Sequence, residues 1–470
     1  MKPMNISHHP QLFLDDALIA QSSGLSRRPH QPVRHEANPL IVQDRPWEKR
    51  SIGYCSVWLD PQAQRFRCLY LANEYQSKDE APDVPEGPRT AKYCMCYAES
   101  DDGVQWRKPP VGPWPYAGHH EHNIVIAGGH GFCVLPTPDD PDPQKRYHGL
   151  GGDIIGCSPD GIHWRTMPFD AAGKNDTCST IIRWQDRYLA FVRIQVRDPN
   201  WSGVMRGVAL CTSDDFEHWT DKETIFTTDA EDGYPWTQPY GLCVSVYGDL
   251  LIGMLPMLHL DREEGNNMLG DMDVQLMVSR DGRRWDRAAD RACWLDSEPP
   301  RPPQNRSWDA RLYPSTTLVK RNDRTHIYYT GSNLRHGEGR IDPTGPWRHG
   351  IGLATLPADR FVGLRPSDPG REGILQTPML KLANGRLTAN AQIGNESELR
   401  VAVLDERGQP VEGFDQDQCR LIRHDSLRYR VVWGREPSMR ELSDLRPGVP
   451  AALRFALSGG ELFAFQVVRF

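Results

Sequence analysis

The sequence has no stretch of about 18 consecutive apolar residues, so it offers no segment that would cross a membrane as a helix. It has no dense basic run to track a phosphate backbone. Its 55 Lys and Arg stand against 62 Asp and Glu, a net charge of −7, which argues against a nucleic-acid partner. The first ten residues are polar and His-rich and lack the charged-then-apolar pattern of a secretory signal. Motif chemistry is missing too. There is no His-Glu-x-x-His, no Gly-x-Ser-x-Gly, no P-loop and no paired-Cys zinc pattern. Gly128-Gly129-His130-Gly131 follows an apolar run, but no helical pattern follows it, so it is not a dinucleotide fingerprint. Neither a cofactor nor a metal is expected.

Long helices are excluded by what is abundant. With 41 Gly and 39 Pro, roughly one residue in six breaks a helix interior. The 11 Cys are odd in number and scattered through strand-like runs (Cys55, Cys68, Cys94, Cys96, Cys211, Cys243). They read as reduced core thiols of a cytoplasmic protein. Cys94 and Cys96 share one strand face and read as small packed hydrophobes.

An internal repeat organises the chain. Ser-x-Asp-(Gly/Phe)-x-x-Trp occurs as Ser100 to Trp106, Ser158 to Trp164, Ser213 to Trp219 and Ser279 to Trp285. A strand-like run precedes each copy. A fifth run, 350–356, is followed by Ala358-Asp359-Arg360-Phe361 in place of the Asp and Trp. In such a turn the Asp accepts hydrogen bonds from its own backbone, Gly permits a positive φ, and Trp packs the hairpin on its neighbour. The repeat therefore counts units and does not mark a site. Further strand-like runs (50–59, 65–71, 177–184, 187–194, 240–246, 250–257, 315–320, 325–330) give about four strands per unit with no helix between, the signature of a β-propeller. After Ser367 the tagged repeats stop. Alternating runs at 399–404, 427–433, 452–457 and 462–465 predict a second all-β unit. The expected fold is all-β: a five-bladed β-propeller over 1–367 followed by a C-terminal β-sandwich over 368–470.

This combination resembles the glycoside hydrolases of families 32 and 43 and their relatives. The Ser-x-Asp turns are similar to those of family 32 and of sialidases. Gln11-Leu12-Phe13-Leu14-Asp15-Asp16, Arg45-Pro46-Trp47-Glu48 and the terminal sandwich resemble a group of family-32-like proteins. The likeness is architectural. The Trp-Met-Asn-Asp-Pro-Asn-Gly, Arg-Asp-Pro and Glu-Cys motifs of family 32 are absent in that form, and Asp15-Asp16 is the nearest approach to the first. Sialidases need six blades and an arginine triad, and only five units are counted here.

Propellers bind ligands on the axis, where each innermost strand begins. Polar residues just before the expected inner strands are therefore the candidates. They are Trp47, Glu48 and Arg50 in the first unit, and Glu121, His122 and Asn123 in the second. The third offers Asn175 and Asp176. The fourth offers Glu231, Asp232, Tyr234, Trp236 and Gln238, and the fifth Trp308, Asp309, Arg311 and Tyr313. Glycoside cleavage needs one carboxyl to protonate the leaving oxygen and another to attack or to activate water. Asp176 and Glu48 are the leading pair, with Asp232 or Asp309 as helpers. The other residues would hold the sugar. Asp15 and Asp16 read as a strand turn or ring closure, and His30 and His35 flank a Pro-rich loop. Two other readings stay open: a glycoside phosphorylase on the same fold, with Arg193, Arg197 and Arg311 for phosphate, and a non-catalytic carbohydrate-binding propeller. A carbohydrate substrate is the expected partner, and a homo-oligomer is compatible with the sequence.

Overall fold

A computed structural model describes residues 3–74, 92–116, 118–171, 175–197, 204–261, 268–288, 290–297, 305–341, 347–368, 370–446 and 448–469. Among them the protein is nearly all-β. The one α-helix is a single turn, Glu338–Ile341, and no helix is long and apolar enough to cross a membrane. All eleven cysteines are unbridged, and ten of them are buried.

Five antiparallel sheets succeed one another along the chain. The first holds Ser51–Leu59, Phe66–Asn73, Cys94–Ser100 and Ile124–Ala127. The second holds Cys133–Pro136, Tyr147–Gly151, Ile154–Ser158 and Arg165–Pro168. The third holds Thr180–Trp184, Arg187–Arg197, Val204–Ser213 and Glu223–Phe226. In the fourth, Thr237–Pro239 and Cys243–Tyr247 share the first position against Leu250–Leu260, then Gly270–Ser279. In the fifth, Arg311–Pro314 and Val319–Arg321 precede Arg324–Ser332 and His349–Pro357. Its last position is filled from the start of the chain, by Val33–Arg34 and Ile41–Val42.

The first strands of neighbouring sheets are hydrogen-bonded in a closed cycle. Ser56 Oγ accepts from Val134 N at 2.9 Å, and Cys133 Sγ accepts from Ile181 N at 3.5 Å. Thr180 Oγ1 donates to Leu242 O at 3.0 Å, Leu318 N donates to Ser245 Oγ at 2.8 Å, and Val57 N donates to Ser315 Oγ at 3.1 Å. Small hydroxyl and thiol side chains at these positions let the strands approach where larger residues would hold them apart. The apolar core follows the same cycle. One buried cluster fills each gap between consecutive sheets, and a fifth, built on Trp47, Tyr70 and Tyr328, joins the fifth sheet to the first.

The repeat does what its residue types imply. Asp160 Oδ1 accepts from Ile162 N at 2.9 Å and His163 N at 2.8 Å, while Trp164 Nε1 donates to Gly161 O at 3.0 Å. The same set recurs around Asp102, Asp215 and Asp281. The residue after the Asp has positive φ in every copy, including the one non-glycine, Phe216 at 71°. Each Trp packs in the gap between its own sheet and the one before.

Two further sheets face each other across a cluster containing Phe13, Leu387, Val401, Trp433, Phe455 and Phe465. One contains Val362–Pro366, Arg386–Gln392, Ser426–Arg430 and Glu461–Val468. The other contains Gly373–Gln376, Glu398–Leu404 and Ala452–Ser458. The expected boundary at 367 does not follow the pairing. Gln11–Leu12, Gln21–Ser23 and Leu25–Pro29 all pair into these two sheets, and so does Val362–Pro366. Asp15 and Asp16 accordingly sit away from the centre of the five sheets, paired with Arg280 (2.7 Å) and Arg27 (2.6 Å).

Candidate functional site

The first strands of the sheets converge on a cavity of about 510 Å³. Ser51–Leu59 carries a bulge between Gly53 and Ser56, and Tyr54 there takes φ 42°. A bulge re-aims a side chain at the cost of local strain, and here the Tyr54 ring lines the cavity. Tyr313 and Tyr240 pack beside it, with ring centroids 5.0 Å apart in both the Tyr54–Tyr313 and Tyr240–Tyr313 pairs.

Tyr240 and Tyr54 belong to a directed hydrogen-bond chain. His336 Nδ1 is bonded to Met268 O. A carbonyl oxygen only accepts, so the proton is on Nδ1 and Nε2 is left as an acceptor. Tyr240 OH then donates to His336 Nε2 at 3.2 Å, and Tyr54 OH donates to Tyr240 OH at 3.1 Å. The Tyr54 oxygen keeps its lone pairs for a donor in the cavity.

Asp176 stands just before Thr180–Trp184 and supplies the one carboxylate among the described lining residues. His130 Nδ1 lies 3.0 Å from Asp176 Oδ1, which also accepts from Thr177 N at 2.8 Å, and Arg193 is ion-paired with Oδ2. Burial alone would raise this carboxyl. The His130 hydrogen bond and the Arg193 charge outweigh it and hold Asp176 well below the usual carboxylate range. The His130 ring stacks on Tyr93 at 4.7 Å, and the Arg193 guanidinium lies 4.2 Å from the Tyr240 ring centroid. Asp176 is therefore ionised, oriented and open to the cavity, its side chain 41% exposed.

The cavity brings together four of the residues expected from sequence: Asp176, Arg50, Arg311 and Tyr313. Arg193, weighed as a phosphate ligand, is there too, whereas Arg197 is exposed at its strand end. Gln238 stands behind the wall, its side-chain carbonyl accepting from Arg206 Nη1 at 2.8 Å.

The other expected acids are turned into structural pairs. Glu48 is fully buried and accepts from Lys108 Nζ at 2.8 Å on both oxygens, from Tyr70 OH at 2.7 Å and from Asp44 N at 2.9 Å. Asp232 is clasped by Arg287 at 3.0 Å and Arg291 at 2.8 Å. Asp309 accepts from Arg34 at 3.0 Å and Tyr329 OH at 2.9 Å. Trp308 stacks on Tyr329, and Trp47 donates to Asn123 Oδ1 at 2.9 Å. His122 is buried, with its ring on Trp114 O, and Glu121 is exposed. Trp236 and Tyr234 are half-buried outside the cavity wall, and Asn175 and Glu231 also lie outside it. His30 bonds Glu461 in the C-terminal sheets, and His35 holds its own turn through Ala37 N.

The second unit explains what was missed. Glu121, His122 and Asn123 are candidates on the expectation that the second unit begins just after them, yet Ile124–Ala127 pairs with Cys94–Ser100 as the last strand of the first sheet. The second sheet begins at Cys133–Pro136. The same rule, applied to that strand, selects His130. Arg193 and Arg206 lie within long second and third strands, where a rule about strand beginnings does not look.

Two imidazoles line the cavity, His336 buried and His349 half-buried. Burial pushes His336 down to about 3, with Arg311, Arg206 and Arg193 adding to the shift against the Met268 hydrogen bond. Burial and then Arg311 push His349 down to about 3. Buried His148, outside the cavity, is pushed down to about 4. A group whose folded pKa lies below its unfolded value of ~6.5 favours the folded state above that pH and loses that support as pH falls. His122 and His326 are shifted the same way, whereas His218 and His259 are raised and oppose it. The balance predicts a falling Tm between pH 7 and 5, a window in which ordinary carboxylates stay ionised, with net proton uptake on unfolding. Thermal denaturation across that range checks it, and a flat Tm would contradict it.

No family profile matches the sequence, and no curated protein matches it. Solved structures that resemble the chain include glycoside hydrolases and phosphorylases at low identity. A β-1,2-mannobiose phosphorylase from Listeria innocua is 12% identical at a TM-score of 0.46, over 70% of this chain and 97% of that one. A structure reported for the GH130 family of mannoside phosphorylases, said to contain hydrolases of β-1,2-mannosidic linkages in Candida mannan, is 14% identical at 0.45, over 70% and 94%. A GH32 β-fructofuranosidase from Bombyx mori is 11% identical at 0.37, over 94% of each chain.

Proposed function

We propose that this protein is a carbohydrate-active enzyme that breaks a glycosidic bond in the central cavity. In this reading the five sheets are the blades of a five-bladed β-propeller formed by residues 30–361. The last two sheets, with residues 3–29, form a β-sandwich that buttresses it. The observation that carries the proposal is the Asp176–His130 pair, an ionised carboxylate and an imidazole side by side in a cavity floored by tyrosines. Asp176 supplies negative charge beside the anomeric carbon, where positive charge develops as the glycosidic bond breaks, and His130 gives a proton to the leaving oxygen or takes one from the attacking oxygen. Tyrosine faces stack on sugar rings, and the Tyr54 oxygen accepts from a sugar hydroxyl. The unbridged thiols suit the expected reducing, cytoplasmic setting.

A second reading, phosphorolysis, is favoured by one observation. Hydrolysis by the usual route uses two carboxyl groups, and the described lining residues offer one carboxylate among several guanidiniums. The test is product release from a panel of aryl furanosides, aryl pyranosides and plant or algal oligosaccharides, each with and without phosphate. Release from at least one substrate is expected. Release that requires phosphate selects the second reading, and binding of sugars without release under either condition overturns both in favour of a binding protein.

A further inference from the structure

The Tyr54 hydroxyl ends a hydrogen-bond chain whose far end is fixed by two sheets. His336 follows Arg324–Ser332 of the fifth sheet and is bridged to the start of Gly270–Ser279 in the fourth. His336 N donates to Gly270 O at 3.0 Å, and Gly270 N donates back to His336 O at 3.3 Å. The next residue, Gly337, takes φ 81°, and a Cβ there would stand 2.7 Å from Met268 O. Glycine thus lets that carbonyl close on His336 Nδ1. The ring is buried, and burial with Arg311 nearby keeps it neutral. A neutral imidazole with its proton on Nδ1 can only accept at Nε2. Tyr240 OH gives its one proton to that nitrogen at 3.2 Å, so toward Tyr54 OH, at 3.1 Å, it can only accept. Tyr54 gives its own proton to Tyr240 and presents lone pairs to the cavity it lines. Donation along such a chain polarises each member and strengthens the last acceptor.

Taking the central cavity as the sugar site proposed above, we infer that His336 is a positioning residue that acts through Tyr240 to hold Tyr54 as an acceptor only, so that the cavity selects a sugar with a free hydroxyl opposite Tyr54 and rejects one that carries an ether, an ester or fluorine there. An acceptor set against an acceptor forfeits the hydrogen bond and leaves both groups desolvated.

Two measurements test it. Nitrogen NMR of the full chain, labelled at the histidine ring nitrogens, reports which nitrogen of His336 carries the proton. Its signals are assigned by their loss in His336→Gln or, should that variant not fold, by their shift in Tyr240→Phe. A proton on Nδ1 is expected, and a proton on Nε2 overturns the inference. The second measurement uses an aryl glycoside that the protein cleaves and its monodeoxyfluoro analogues, one for each hydroxyl of the sugar. Fluorine cannot donate. Its electron withdrawal slows cleavage in wild type and variant alike, so the quantity read is the kcat/KM penalty of each analogue in wild type against Tyr240→Phe. That variant keeps the ring beneath the Arg193 guanidinium and frees the Tyr54 proton to point at the sugar. The penalty at one ring position is expected to shrink at least about tenfold, and Tyr54→Phe is expected to reduce it at the same position. A merely structural loss would lower the parent glycoside and every analogue together. Penalties unchanged at every position overturn the inference and leave the proposed function standing. No cleavage of any glycoside removes the proposed function; a proton on His336 Nδ1 then still keeps Tyr54 an acceptor, and one on Nε2 overturns that too.

Discussion

Asp176→Asn is expected to lower kcat/KM by about 10²–10⁴-fold on any glycoside the protein cleaves, the range seen when a group that moves a proton or charge in the transition state is removed. The substitution is close to isosteric. Asparagine can still accept from Thr177 N, which donates to the carboxylate at 2.8 Å. What it removes is the charge that Arg193 and His130 stabilise. Because that charge is held well below the usual carboxylate range, the wild-type group is ionised throughout the neutral range, and the variant differs from it at every ordinary assay pH. The loss should fall mainly on kcat, since the tyrosine floor and the guanidiniums that hold the sugar stay in place. Circular dichroism and Tm check that the fold survives. A loss smaller than about tenfold in a folded variant would remove Asp176 from the chemistry, and a loss confined to KM would recast it as a binding group.

The parts of the fold that were legible in sequence are those set by short-range chemistry. Ser158, Asp160, Gly161 and Trp164 satisfy one another within seven residues, so their spacing announces a turn wherever it recurs. Asp176, Arg50, Arg311 and Tyr313 were reachable because each stands at or near the start of a first strand. The second unit failed because a last strand and a first strand look alike locally. Ile124–Ala127 and Cys133–Pro136 are both short apolar runs, and only pairing with Cys94–Ser100 tells them apart. The N-terminal strands failed for a related reason. Leu25–Pro29 has no apolar alternation, and its partner Val362–Pro366 lies more than 330 residues away. Glu48, Asp232 and Asp309, expected beside Asp176, are paired elsewhere because a carboxylate's role is decided by the cation that reaches it. Arg287 and Arg291 reach Asp232 from more than 50 residues downstream, and Arg34 reaches Asp309 from the far end of the chain.

Glu48 shows how large the effect of such a pairing is, and Glu48→Leu is expected to destabilise the protein by about 3–5 kcal/mol, the usual cost of breaking a buried ion pair by removing one partner. Its carboxylate is completely buried against Tyr70 OH, and Lys108, only 6% exposed, reaches both of its oxygens at 2.8 Å. Removing the acid leaves the ammonium with Asp44 at 2.6 Å, a partner that is 48% exposed. It also strips an acceptor from Tyr70 OH and from the backbone N–H groups of Asp44 and Arg45. Those donors close the turn that leads into Ser51–Leu59, so the cost falls on the core between the fifth and first sheets. Chemical denaturation measures it. Lys108→Met in the same chain should recover part of the loss, because the uncompensated charge is then gone. Activity per folded molecule, assayed well below the lowered Tm, should stay close to that of wild type. A folded Glu48→Leu protein with kcat reduced a hundredfold would return Glu48 to the chemistry. A stable Glu48→Leu protein would mean that the Lys108 pair is worth no more than a surface contact.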